Sequence, residues 1–167
     1  MANYKGHISG ALAICVVYTV GVSLLPLEWY EKTGGILSNW QMVTALFVVA
    51  MLFGLLPDVD TNSKAQDIFF VLAFSLDIVL IYIGRLEAAA YLGLLAMTPI
   101  VGKHRGWTHN KIAMIFIPLP ILILPYLYDP DNLIVGLLFY GAAFFGYFSH
   151  LLLDGLIWKK IRIKGGW

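Results

Sequence analysis

Apolar residues fill this chain in six runs separated by short polar breaks. The runs are Ile8 to Leu27, Ile36 to Leu56, Ala65 to Ile83, Leu86 to Val101, Ile112 to Tyr128 and Leu133 to about Trp158. A hydrocarbon core about 30 Å thick needs roughly 20 mostly apolar residues per helix, so each run predicts a membrane-spanning helix. The fourth run is short and joins the third through Gly84-Arg85. It reads as a full span, with a re-entrant or tilted segment as the alternative. The fifth carries Pro118, Pro120 and Pro125, which predict a kinked or broken helix. The last two turns of the sixth are expected to leave the hydrocarbon. Lys5 precedes the first run, but that run is longer than a signal-peptide core and no A-x-A site follows. It is expected to be retained. With no internal repeat and no dividing linker, residues 1–167 read as a single all-α membrane bundle of about six transmembrane helices.

Composition supports a membrane protein. Of the 167 residues, 60% are hydrophobic and 13% are charged, about half the charged share of an ordinary soluble domain. The mean hydropathy is +0.81. A soluble domain of this size leaves too much of its area wet to hide so much apolar surface. The net charge of +1 offers no basic field for nucleic acid. Cys15 is the single cysteine, so neither a disulfide framework nor a cysteine metal site is available.

The few charges are unevenly distributed. With six spans, one membrane side carries Lys5, Lys64, Lys103, Arg105, Lys111, Lys159, Lys160, Arg162 and Lys164, and the other only Lys32 and Arg85. The positive-inside rule then places both termini in the cytoplasm. A fourth run that did not cross would split the basic residues between the two sides.

The same side receives the residues that bind metals. His7 precedes the first span, Asp58 and Asp60 follow the second, and His104 and His109 lie between the fourth and fifth. His150 is about 26 Å along an ideal sixth helix, near the cytoplasmic boundary, with Asp154 one turn further. All four histidines of the chain therefore meet three aspartates at one face. His150 and Asp154 are i,i+4 and share a helix face. In L-P-D-V-D, Pro57 is expected to end the helix, and an extended continuation would point Asp58 and Asp60 the same way. His104 and His109 are i,i+5, and Gly106 between them predicts a turn that brings both rings to one centre. Seven N and O ligands exceed one tetrahedral zinc and suit two divalent ions with water between them. Three aspartates against two dications leave about +1, and Lys103 and Arg105 beside the centre suit a phosphate.

Taken singly, each histidine is more often a loop or interface residue than a ligand, and a membrane-edge aspartate is often a solvated helix end. The His150–Asp154 pair resists that view, because ionisable groups within an apolar helix are costly. Asp77 lies deep in the third span and is expected to hydrogen-bond a neighbouring helix. Trp29, Tyr30, Trp40, Tyr126, Tyr128 and Trp158 read as interfacial anchors.

L-P-D-V-D at 56–60, H-R-G-W-T-H at 104–109 and G-Y-F-S-H-L-L-L-D at 146–154 occur in that order behind His7. This set resembles the YdjM-like family of membrane-bound metal-dependent hydrolases, some of them described as LexA-regulated inner-membrane proteins. The likeness covers nearly the whole chain. It implies a multi-pass inner-membrane hydrolase whose His and Asp residues bind metal. Family members often carry His where this chain has Thr61, and Ser where it has Asn110; both departures touch the surroundings of the ligands rather than the ligands.

Together these readings predict a divalent-metal site, most simply zinc with Mn or Mg as alternatives, held by His7, Asp58, Asp60, His104, His109, His150 and Asp154. A metal lowers the pKa of its bound water toward about 7. Asp58 or Asp60 would orient that water or take its proton, and Arg105 with Lys103 would hold phosphate. The expected substrate is a phosphoester or ester of a lipid or lipid-linked molecule in the bilayer, with no nucleic-acid partner. The competing classes are a metal or proton transporter and a non-catalytic scaffold with a structural metal.

Overall fold

The computed structural model describes residues 3–25, 35–60, 64–101 and 108–157, with backbone alone at 60 and 98–101. Every regular element among them is helical. The order is α1 (Tyr4–Ser23), α2 (Trp40–Leu55), a 3₁₀ turn (Leu56–Asp60), α3 (Lys64–Tyr82), α4 (Leu86–Val101), α5 (Lys111–Phe116), α6 (Leu119–Tyr128), a 3₁₀ turn (Pro130–Asn132) and α7 (Leu133–Leu153). Five stretches are long and apolar enough to cross a membrane: Tyr4–Ser23, Trp40–Val59, Lys64–Tyr82, Lys111–Tyr128 and Pro130–Leu153. The fourth predicted span, α4, is a shorter helix of 16 residues.

Local chemistry sets the ends, and several differ from the sequence expectation. Helix α1 starts at Tyr4 rather than Ile8, because the Asn3 side chain accepts from the Gly6 amide at 2.9 Å and caps it. His7 thus lies inside the helix instead of ahead of it. Helix α2 starts at Trp40 because Asn39 caps it, accepting from the Gln41 amide. Pro57 does not lead into extended chain. Its fixed φ is compatible with a helical first turn, and residues 56–60 wind into 3₁₀ helix. Successive residues there rotate by about 120°, so the two-residue alternation expected for Asp58 and Asp60 does not operate. The proline-rich run breaks as expected, between Phe116 and Leu119. Helix α7 stops at Leu153, not near Trp158. Gly155 takes φ +68°, and the amides of Gly155 and Leu156 bond back to Leu152 and Leu151, a glycine C-terminal motif.

Helix α7 is the central post. It packs against α1, α2 and α6, and α1 also packs on α2. Where α2 crosses α7 the backbones nearly touch. A Cβ on Gly146 would sit 2.2 Å from the Ala50 carbonyl oxygen. Gly54 plays the same part between α2 and α1, where a Cβ would meet that of Ala11 at 2.7 Å. Small residues at crossings are how membrane helices gain contact without a hydrophobic driving force. Helices α3 and α4 form a hairpin turned at Gly84 (φ +76°), and both touch the 3₁₀ turn after α2. Phe69, Leu56, Val59, Tyr147 and Leu151 fill the interior at that end.

Gly146→Ala is expected to cost about 1–3 kcal/mol by forcing two backbones apart, lowering the thermal midpoint in detergent. Gly93→Ala, with open space around its Cβ position, is expected to leave the midpoint unchanged or raise it.

Candidate metal centre

Four elements deliver one or two polar side chains each to the same end of the bundle. His7 comes from the first turns of α1, and Asp58 from the 3₁₀ turn after α2. His109 lies in the turn before α5, and His150 sits in the last turn of α7 with Asp154 as that helix's C-cap. Each histidine Nε2 lies 3.5–4.0 Å from oxygens of both aspartates: His7 at 3.7 Å from Asp58 and 3.6 Å from Asp154, His109 at 3.5 and 4.0 Å, His150 at 3.5 and 3.7 Å. Those separations exceed usual hydrogen-bond lengths. They approach the spacing of atoms that share a metal, since bonds of about 2.0–2.2 Å at tetrahedral angles put ligand atoms about 3.4 Å apart. One ligand atom each from Asp58, His109, His150 and Asp154 falls within 4.8 Å of all the others.

The centre is nearly sealed. His7 and His150 are fully buried and the Asp154 side chain is 1% exposed. Asp58 at 21% and His109 at 18% form the open side. Two carboxylates in such a place need positive charge beside them, because buried charges persist only when paired or bound to metal. A divalent cation would supply it, and the donor set of imidazole and carboxylate suits zinc or another divalent ion.

A backbone carbonyl and a side-chain hydroxyl orient two of the rings. His150 Nδ1 lies 2.8 Å from the Gly54 carbonyl, which accepts only, so Nδ1 carries the proton and Nε2 keeps a lone pair for the centre. The Thr108 hydroxyl donates to the Pro57 carbonyl at 3.1 Å and therefore accepts from His109 Nδ1 at 3.3 Å, leaving that Nε2 as a lone pair as well. Carbonyl and hydroxyl partners of this kind fix the tautomer of metal-binding histidines. The Tyr147 hydroxyl, one turn before His150, donates to the Thr108 carbonyl. Thr108 thus ties the His109 segment to the turn holding Asp58 and to the helix holding His150.

Compared with known families, the chain matches the YdjM inner membrane protein family over residues 2–163. It belongs to that family. With five helices apolar enough to cross, this YdjM-family chain is a multi-pass inner-membrane protein. No curated protein and no solved structure matches it.

Of the residues singled out from the sequence of this YdjM-family member, five come together: His7, Asp58, His109, His150 and Asp154. Lys103, His104 and Arg105 lie outside the described residues, and only the backbone of Asp60 is described. Asp77 stays apart, about 20 Å along α3 from its start. Its Oδ1 is buried with no hydrogen-bond partner, so the bond expected from a neighbouring helix does not form at that atom. Sequence reasoning missed Thr108, Tyr147 and the Gly54 carbonyl. Thr108 adjoins a histidine and Tyr147 precedes another by one helical turn, but a backbone acceptor leaves no mark in a sequence.

Tyr147→Phe keeps the ring and removes the buried donor. It is expected to cost about 1–3 kcal/mol, read as a lower unfolding midpoint in detergent, whereas Tyr140→Phe, on a more exposed bond to Ile115, is expected to cost less.

Proposed function

We propose that this chain is a membrane-embedded, metal-dependent hydrolase that cleaves a phosphoester, or an ester, of a lipid or lipid-linked substrate at the cytoplasmic face. The observation that supports it is the convergence of three imidazoles and two carboxylates on one buried centre at the end of an apolar bundle. Asp58, His109, His150 and Asp154 would hold a divalent metal, with zinc the first candidate and Mn or Mg the alternatives. When bound, such a metal supplies a Lewis acid and lowers the pKa of a water toward about 7.

The protein groups divide the remaining work. His150, braced by Gly54, and His109, braced by Thr108, would each turn Nε2 toward the metal. Asp154 is sealed and acts by charge. Asp58 borders the open side, where its carboxylate would orient a metal-bound water, and Asp60 two residues later is the candidate to take that water's proton. Arg105 and Lys103, in the segment just before His109, are assigned to the phosphate, for which guanidinium geometry is well matched. A lipid fits because its head group can reach this end of the bundle while its tails stay in the bilayer. A transporter would place its ligands near the midplane on broken helices, and these gather at one end. A scaffold with a structural metal would close every coordination position, and here Asp58 and His109 leave one side open.

The site also bears on topology. The chain leaves this end at the start of α3 and is back at Thr108, which bonds Pro57. Helix α4, packed along α3, supplies the return. We therefore read α4 as a sixth pass with both termini cytoplasmic, its rise of about 24 Å met by local thinning of the bilayer. In a Cys15→Ser background, Lys111→Cys is expected to react with an impermeant maleimide from the same side as Lys64→Cys, and Arg85→Cys from the other. Lys111→Cys reacting together with Arg85→Cys would refute six passes.

For the activity itself, purified protein is expected to contain stoichiometric divalent metal by elemental analysis and to release product from a lipid extract. Asp58→Ala is expected to reduce turnover at least about 100-fold, in line with loss of a ligand that also orients the attacking water. Metal-free wild type, or identical products from wild type and Asp58→Ala, would overturn the proposal.

A further inference from the structure

The two aspartates of the centre each face two ways. Asp58 presents Oδ1 to Nε2 of both His109 and His150, at 3.5 Å from each, and Oδ2 to Nε2 of His7 at 3.7 Å. Asp154 repeats the division. Its Oδ2 meets His109 at 4.0 Å and His150 at 3.7 Å, while its Oδ1 meets His7 at 3.6 Å. The five side chains therefore do not surround a single point. Asp58, His109, His150 and Asp154 form one group of mutually close ligand atoms. His7 stands outside it, on the opposite oxygens of both carboxylates.

His7 is also the least explained residue of the site. It is fully buried, and neither of its ring nitrogens has a hydrogen-bond partner. It stacks on His150 with ring centroids 3.8 Å apart and planes 15° from parallel. A stacked ring alone leaves two buried polar atoms unsatisfied, which native interiors rarely tolerate. A cation on Nε2 would satisfy the one that faces both carboxylates.

We infer that the centre holds two divalent ions bridged by both aspartates. One lies among His109, His150, Asp58 Oδ1 and Asp154 Oδ2; the second is held by His7 with Asp58 Oδ2 and Asp154 Oδ1. This rests on the metal-site reading proposed above. Shared carboxylates set two ions about 3.5–4 Å apart, the spacing of hydrolytic two-metal sites. The positions are unequal. The first has four protein atoms and the second three, so the His7 ion binds second, exchanges first and keeps more room for water or substrate. Two dications outweigh Asp58 and Asp154, and still leave about +1 when Asp60 is counted with them, which favours an anionic substrate such as a phosphate ester over a neutral one.

The test uses the full chain in detergent, stripped with a chelator and reloaded with Mn²⁺, with the bound ratio from elemental analysis and the spin state from electron paramagnetic resonance. Wild type is expected to bind two ions per chain and to give the signal of a spin-coupled pair. His7→Gln is expected to bind one, with the hyperfine pattern of an isolated ion. One ion in fully loaded wild type overturns the second position while leaving the hydrolase reading standing. Two ions in His7→Gln overturn its assignment to His7. No bound ion at all removes the metal site itself, and this inference with it. Should His7→Gln fail to fold, the wild-type spectrum decides alone: a coupled pair supports the inference and an isolated-ion signal at full loading refutes it.

Discussion

Two carboxylates held against three imidazoles, in a place almost closed to water, are the constraint on which this bundle turns. In apolar surroundings a pair of like charges cannot stand alone. Asp154 is sealed at the foot of α7 and Asp58 borders the only open side seen among the described residues. The elements around them bring nitrogen donors: α1 brings His7, the turn before α5 brings His109, and α7 brings His150. A divalent cation as counter-charge would turn an unfavourable burial into a favourable one, because metal binding and folding are linked when ligands come from distant parts of a chain.

The precision of that meeting depends on close backbone approach rather than on large apolar side chains. Gly146 lets α2 lie against α7, and Gly54 lets α1 lie against α2. Gly54 then does a second job, because its carbonyl is the acceptor that orients His150. The packing of three helices and the tautomer of one candidate ligand thus share a single residue. Thr108 performs a comparable double function for His109, its hydroxyl bonded to Pro57 and its carbonyl to Tyr147. Groups that position ligands are as much a part of the centre as the ligands.

Much of the fold was legible in the sequence because length and hydropathy report directly on the bilayer. The apolar runs become helices, the three prolines break the fifth run, and membership of the YdjM family was readable from three short motifs behind one histidine. Helix ends were less legible. Asn3 and Asn39 cap earlier or later than hydropathy implies, Pro57 enters a 3₁₀ turn, and Gly155 stops α7 short. Such ends are decided by single hydrogen bonds and one backbone angle, which an average over twenty residues does not register.

What the sequence determined by itself is the solvent and the side: a chain too apolar for water, with its histidines and three of its aspartates expected at one face. That much follows from counting, because each charged group in a membrane must have a place to go. Which of those residues share a centre, and which oxygen faces which ring, was decided only in three dimensions. His7 and Asp154 are separated by nearly the whole described chain, yet they lie 3.6 Å apart. Spacing along a helix can relate His150 to Asp154, but no spacing relates α1 to α7. That relation comes from how closely backbones can approach where one of them carries no side chain, Gly146 against Ala50 and Gly54 against Ala11.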